Sequence, residues 1–269
     1  MSLRTMRLAA LGPEGTVSHA IASRLADEVV LLPTIAAVFA HVAAGGGDGV
    51  VPIENSEAGG VGAVLDALMR HPLFITAEVY VPVRHHLASF VGREAITELH
   101  AHPQAHEQCS RLADALGVPV IHTPSNAASA RAVRPDGTAA AITTLAAAER
   151  AGVPVLESDV QDAAGNTTRF VVISRQRYAG EDAVKCSVLI DPRTDRVGLL
   201  AEMLAVFARR SINLTRIESR PARRGMGRYV FFVDGHASPA WEGALAELDG
   251  LAAVQWFGCY PRLEVGEWR

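Results

Sequence analysis

The chain has 269 residues, 49% of them hydrophobic and 20% charged, with a formal net charge of -4. That is ordinary globular composition, with enough chain for one large or two modest domains. No basic run offers a footprint for nucleic acid or an anionic membrane, no apolar stretch is long enough to span a bilayer, and the short apolar run before Gly12-Pro13 is not a signal peptide.

In chain order, Arg7 to Leu11 reads as a strand, GPEGT as a loop and Val17 to Leu25 as a helix. Val29 to Leu32 is a strand, Thr34 caps a helix from Ile35 to Ala43, and GGGDG turns the chain into a strand from Val50 to Ile53. A second series follows: strands Phe74 to Val83 and His86 to Val91, a helix from Gln104 to Leu116, strand Val118 to His122, helix Ser125 to Val133, and strand Ala139 to Ile142. Arg169 to Ile173 closes this half as a buried strand. Strands alternating with helices predict a largely parallel α/β sheet, and two such series predict two lobes with a cleft between them.

Residues 174–183 are polar and aperiodic and read as a linker. Beyond them KCSVLID, a helix from Val197 to Arg209, the strands INLTRIESR and GRYVFFVDG, a helix from Pro239 to Leu248 and a strand from Ala252 to Tyr260 give the order βαββαβ. That order fits a ferredoxin-like fold.

Three segments carry candidate chemistry. GPEGT lies between strand and helix, where Gly15 allows a tight turn, Thr16 or Ser18 caps the helix, and the helix start is a natural anion site. PIENS puts Glu54, Asn55 and Ser56 at a strand's carboxyl end, where open α/β sheets bind ligands. NTTRF brings Asn166, Thr168, Arg169 and Phe170 to the head of a core strand, with a hydroxyl donor beside a guanidinium able to clamp a carboxylate. Each is equally consistent with a plain turn or cap. His102 and His106 are four apart, but Pro103 starts a helix just after His102 and no third ligand follows, so no metal is expected. His85 and His86 alternate faces and are poor joint ligands. Cys109, Cys186 and Cys259, odd in number and far apart, fit neither a disulfide framework nor a zinc spacing, so a reducing, cytoplasmic setting is expected.

Together and in order, GPEGT, PIENS, HPQ with its following QC, AAI, NTTRF, VGLL, INLTRIESRP, FFVD and CYPR resemble the prephenate dehydratases that carry a C-terminal ACT domain. The resemblance implies a catalytic domain over residues 1–176, with two periplasmic-binding-protein-like lobes, and an ACT domain over 184–262. It implies decarboxylating dehydration of prephenate to phenylpyruvate, with no cofactor and no metal. Thr168 is then the catalytic residue, and Gly15, Thr16, Glu54, Asn55, Ser56, Asn166, Arg169 and Phe170 bind substrate. Glu54 is a candidate proton source. Phenylalanine, as effector, is expected at Gly198, Leu199 and Leu200 and at Glu218, Ser219, Arg220 and Pro221. Val197 and Leu199 depart from the family's usual proline and alanine. A homodimer or homotetramer is expected, and no chorismate mutase domain is expected ahead of the first strand. Arogenate dehydration is the rival reaction, separated by relative turnover. A non-catalytic amino-acid-binding regulator is the rival of another class, and an intact NTTRF argues against it.

Overall fold

The computed structural model describes residues 5–264. The first lobe opens with β1 (Thr5–Leu11), α1 (Val17–Leu25), β2 (Ala26–Leu32), α2 (Ile35–Ala43), β3 (Asp48–Asn55), the short β4 (Gly59–Gly60), α3 (Gly62–Leu68) and β5 (Phe74–Pro82). The chain then crosses to a second lobe: β6 (His86–Ser89), β7 (Glu98–Ala101), α4 (Pro103–Gln108), α5 (Ser110–Leu116), β8 (Val120–His122), α6 (Asn126–Ala132), β9 (Ala139–Thr143), α7 (Leu145–Ala151) and β10 (Val155–Glu157). It returns through β11 (Thr167–Ser174). The last part comprises β12 (Lys185–Pro192), α8 (Leu199–Arg209), β13 (Leu214–Pro221), β14 (Tyr229–His236), α9 (Trp241–Leu248) and β15 (Ala252–Tyr260).

These strands form three sheets, in the orders β2-β1-β3-β11-β5 with β4 beside β3, β10-β6-β9-β7-β8, and β13-β14-β12-β15. The expected βαββαβ module is the third, four-stranded antiparallel sheet, with α8 and α9 on one face. The lobe sheets are mixed rather than largely parallel. The returning β11 runs antiparallel to both β3 and β5, and β6 antiparallel to β9 and β10. A strand that comes back from another lobe instead of through a local crossover helix is free to insert antiparallel.

The faces of the first sheet decide where the functional residues point. Phe170 and Val172 of β11 turn toward α1, with Leu8, Ile21 and Val79. Val171 and Ile173 turn toward α2 and α3, and the bare face of the last sheet packs there too, so that Leu189, Val230, Phe232, Phe257 and Tyr260 join Phe39, Leu65 and Leu68 in one core. The polar segment after β11 therefore connects two bodies already fused by a shared apolar core. Beyond β15 the chain also pairs with β5, through Glu78 N to Pro261 O at 3.0 Å and Leu263 N to Glu78 O at 2.8 Å. This covers an edge strand that would otherwise offer unpaired amides.

Cys186 and Cys259 face each other across β12 and β15 and are joined as a disulfide, which corrects the expectation of unpaired thiols. Antiparallel register brings together positions 73 residues apart, and spacing along the chain hides that. Cys109 is free and buried, and burial pushes its thiol up to about 12. Among the described residues no helix is long and apolar enough to cross a membrane.

Candidate active site between the lobes

A cavity of about 140 Å³ lies where the lobes meet. Its first-lobe wall is Gly15, Thr16, Val17, Thr168 and Phe170. Its floor is the crossover Pro82–His86, and its second-lobe wall includes Asn126 and Thr144. Gly15 sits at φ +88°, where a side chain would be strained, and this sharp turn places the start of α1 at the cavity. Thr16 caps α1, with its Oγ1 accepting from His19 N at 3.2 Å and donating to Leu11 O at 3.0 Å. The Gly15 amide is already engaged, donating to His19 Nδ1 at 3.1 Å.

Thr168 heads β11 opposite Asn55 at the end of β3. Asn55 Nδ2 donates to Thr168 Oγ1 at 3.1 Å and to Asn166 Oδ1 at 2.6 Å. Asn55 Oδ1 accepts from the amides of Glu57 and Ala58 at 3.1 and 3.0 Å, and Asn166 Nδ2 donates to Glu57 Oε2 at 3.0 Å. Asn55 is thus held at both ends. Because the threonine oxygen accepts from it, the Thr168 hydroxyl hydrogen is left to point elsewhere. Ser56 is exposed and does not line the cavity. It ties β3 to β11, with Ser56 N donating to Thr167 O at 2.9 Å and Thr167 N to Ser56 Oγ at 3.0 Å.

Two expected substrate ligands lie on the other face. Arg169 is 1% exposed and its guanidinium is spent within the protein: on Glu78 at 2.9 Å, Asp234 at 2.6 Å, Tyr260 Oη at 2.8 Å and Glu54 at 3.3 Å. Glu54 also takes Arg216 at 2.5 Å. Side chains alternate along β11, so when Thr168 and Phe170 face the cavity Arg169 must face the last sheet. A bulge does the same for Glu54. Phe170 pairs with Pro52 but Arg169 with Glu54, so β3 carries one extra residue there, and its side chains change faces. Arg169 and Glu54 therefore point into the interdomain cluster and do not line the cavity.

The buried cluster is balanced. Arg169, Arg216, Lys185 and Arg262 meet Glu54, Glu78, Asp234 and Glu218, with Tyr260 and Ser187 supplying hydroxyls. Burial pushes the Asp234 carboxyl up, but Arg169, Arg216 and the Ser187 hydroxyl outweigh it and hold it below its ordinary value. Such a cluster is poor evidence of net stabilisation, yet losing one partner is costly.

The expected effector residues divide in the same way. Gly198, at φ +82°, starts α8 without a side-chain cap, and Leu199 and Leu200 line a cavity of about 370 Å³ with Asp191, Arg196, Tyr229 and Phe231. Glu218 and Arg220 point away from it. Glu218 pairs with Arg216 and lies on Gly60, and Arg220 pairs with Asp66 at 3.0 Å over Gly62. Alternation along β13 leaves Ser219 and Pro221 exposed on the opposite side. The four residues of this motif therefore divide between the two faces of the sheet.

Sequence reasoning missed the buried acids Glu78 and Asp234 and the cavity residues His85, His86, Asn126 and Thr144. Glu78 had a signal, a lone charge within the apolar run FITAEVYVP. For His85 and His86 the strand alternation bears only on joint metal ligation and carries no sign of the cavity that they line.

Comparison with known proteins agrees with this architecture. Residues 8–178 match the family model described as prephenate dehydratase. The chain belongs to the prephenate dehydratase family. Residues 193–240 match the ACT domain model, so the last sheet is an ACT domain. The bifunctional chorismate mutase/prephenate dehydratase of Stutzerimonas stutzeri is 36% identical over 96% of this chain and 73% of its own length. Arogenate dehydratase/prephenate dehydratase 1 of Arabidopsis thaliana is 35% identical over 79% of this chain and 60% of its own length. Among solved structures, the prephenate dehydratase of Staphylococcus aureus aligns with TM-score 0.84 at 29% identity, covering 95% of this chain and all of that one. That of Arthrobacter aurescens in complex with L-Phe aligns with TM-score 0.83 at 32% identity, over 95% of this chain and 90% of that one. A quorum-quenching acylase, GqqA, also aligns with TM-score 0.83 at 27% identity, over 96% of this chain and 98% of that one.

Proposed function

We propose that this dehydratase acts on prephenate in the interlobe cavity, with Thr168 assisting the departing hydroxyl. The observation that carries the reading is Thr168 on the cavity wall, with its oxygen held by Asn55 at 3.1 Å. In prephenate the bond from the ring to its carboxylate breaks, carbon dioxide leaves, and the electron pair moves through the diene. The ring hydroxyl leaves at the far end as hydroxide and is protonated to water. The ring becomes aromatic, and phenylpyruvate results. Negative charge grows on the leaving oxygen, so a donor pre-aimed there stabilises the transition state more than the bound substrate. The start of α1 beyond the engaged Gly15 and Thr16 donors, which shape the turn, suits a carboxylate, Phe170 gives the ring an apolar wall, and Asn166 and Ser56 hold the turn.

The lining also bears on substrate choice. It contains Arg84, His85 and His86 but no aspartate or glutamate. Arogenate carries an ammonium where prephenate carries a ketone, and this lining has no carboxylate for it, which favours prephenate. Acyl transfer of the kind named for GqqA needs a base beside its nucleophile. Thr168 is held instead by an amide donor, which argues against acyl transfer at this residue.

The same reading makes phenylalanine the effector at the α8 start, divides the chain in the segment between β11 and β12, and places a homodimer or homotetramer in the cytoplasm. Val197 and Ile217, both exposed hydrophobics of the ACT domain, favour a second subunit against it, and light scattering tests the assembly. For the catalytic assignment, Thr168→Ala is expected to fold normally and lose about 10²–10³ in kcat with KM little changed. A folded variant with near-normal kcat would remove Thr168 from the reaction.

A further inference from the structure

Prephenate carries two carboxylates with different fates. The ring carboxylate leaves as carbon dioxide, and its charge passes through the diene to the departing hydroxyl. The pyruvyl carboxylate keeps its charge from substrate to product. A full cation fixed on the first opposes the departure of its electrons. A cation on the second binds substrate and transition state alike. A permanent cation at the cavity therefore suits the pyruvyl carboxylate.

The lining holds one such cation, Arg84, and no aspartate or glutamate. The backbone on either side of Arg84 is pinned, with Val83 N donating to Asn166 O at 2.8 Å and His85 N to Gln161 Oε1 at 3.0 Å. Its side chain is held loosely. Among the described residues its guanidinium meets only Asp159, through Nη1, at 3.4 and 3.5 Å from the two carboxylate oxygens. The two side chains are 52% and 47% exposed. So long and solvated a pair is worth at most about a fivefold preference. Nε and Nη2 remain open for a two-point hold on a carboxylate, which is stronger. The position fits as well. Val81 lies opposite Thr168 in the register, and Arg84 follows three residues on, about 10 Å of extended chain. That separation suits a ring with its hydroxyl at one end and its pyruvyl arm at the other.

We infer that Arg84 binds the pyruvyl carboxylate: its guanidinium leaves Asp159 as prephenate enters and holds that carboxylate until phenylpyruvate departs. This rests on the prephenate dehydratase reading. Arg84 then supplies binding, and Thr168 supplies rate. The α1 start, with about half a unit of positive charge, holds the ring carboxylate more loosely. The product keeps the carboxylate that Arg84 takes and lacks the other, so affinity for phenylpyruvate reports on which of the two it holds.

The test is steady-state turnover of prephenate, with phenylpyruvate as added inhibitor, by the wild type, Arg84→Gln, Arg84→Lys and Asp159→Asn, with melting temperature recorded on each preparation. Asp159 sits at φ +56°, a conformation that asparagine tolerates. Arg84→Gln is expected to raise KM by roughly 10- to 100-fold, to raise the inhibition constant of phenylpyruvate by a similar factor, and to leave kcat within about threefold. Arg84→Lys recovers part of the loss, since it restores the charge without the planar fork. Asp159→Asn keeps KM at or below the wild-type value, because it frees Arg84. A folded Arg84→Gln with wild-type KM overturns the inference. So does a raised KM with phenylpyruvate inhibition unchanged, which puts Arg84 away from the pyruvyl carboxylate. A KM raised as much by Asp159→Asn as by Arg84→Gln overturns it too, since the pair then only ties the two crossover segments together. A wild type that gives no phenylpyruvate overturns the underlying reading instead, so the two failures are separate.

Discussion

Replacing Arg169 by alanine tests the interdomain cluster directly. The change takes the close cation from Asp234, which is nearly inaccessible, and removes one of three cations from Glu78, one of two from Glu54 and a donor from Tyr260. Lys185 and Arg262 remain on Glu78, but Asp234 keeps only Arg216, at 3.7 Å, and the Ser187 hydroxyl. Breaking a buried pair typically costs about 3–5 kcal/mol. At roughly 2–4 °C per kcal/mol for a chain near this size, melting falls by about 6–20 °C. Arg169→Lys recovers only part, since one ammonium cannot serve Glu78, Asp234 and Tyr260 together. The pH dependence has a definite sign. Asp234 is depressed in the folded state, so its contribution is present above its unfolded value of 3.8 and is lost as pH falls through its folded value. The variant cannot draw on that contribution and has a stranded carboxylate that acid relieves. The gap in stability between wild type and variant is therefore widest near neutral pH and narrows on acidification. Thermal melts and prephenate KM are measured on one preparation. An unchanged melting temperature with KM raised tenfold or more would refute this account and return Arg169 to the substrate.

Asn55→Ala removes the donor to Thr168 and the acceptor for two turn amides. It is expected to lower kcat by about tenfold or more and stability by about 1–3 kcal/mol, and a stable variant with normal kcat would detach Asn55 from Thr168. Phenylalanine is expected to bind near the α8 start and inhibit without competing with prephenate. Leu199→Ala, which opens the cavity beside Gly198, should change the affinity, and calorimetry showing no heat with the wild type would remove this effector. Gly49→Ala should cost about 1–3 kcal/mol, because an added methyl group would meet Val42 at 2.8 Å and Val38 at 3.0 Å; chemical denaturation reads the loss directly.

Much of the fold is legible in local pattern. The caps at Thr16 and Thr34, the breakers around GGGDG, and the alternation in KCSVLID place elements close to where the structure has them. The two-lobed plan and the βαββαβ module follow from their order. What pattern cannot carry is direction. Arg169 sits one residue from Thr168 and yet reaches another domain, because strand neighbours face opposite ways. Glu54 follows Arg169 across only because of a one-residue bulge that no periodicity marks. The same alternation divides Glu218 and Arg220 from Ser219. The Cys186–Cys259 pair and the antiparallel entry of β11 depend on long-range register, which spacing along the chain does not contain.

The most direct test of the central claim is turnover of prephenate and of arogenate, side by side, by one purified preparation of the chain. The account predicts phenylpyruvate from prephenate, with kcat/KM for prephenate the larger because the cavity has no carboxylate for arogenate's ammonium. No phenylpyruvate, or faster turnover of arogenate, would contradict it.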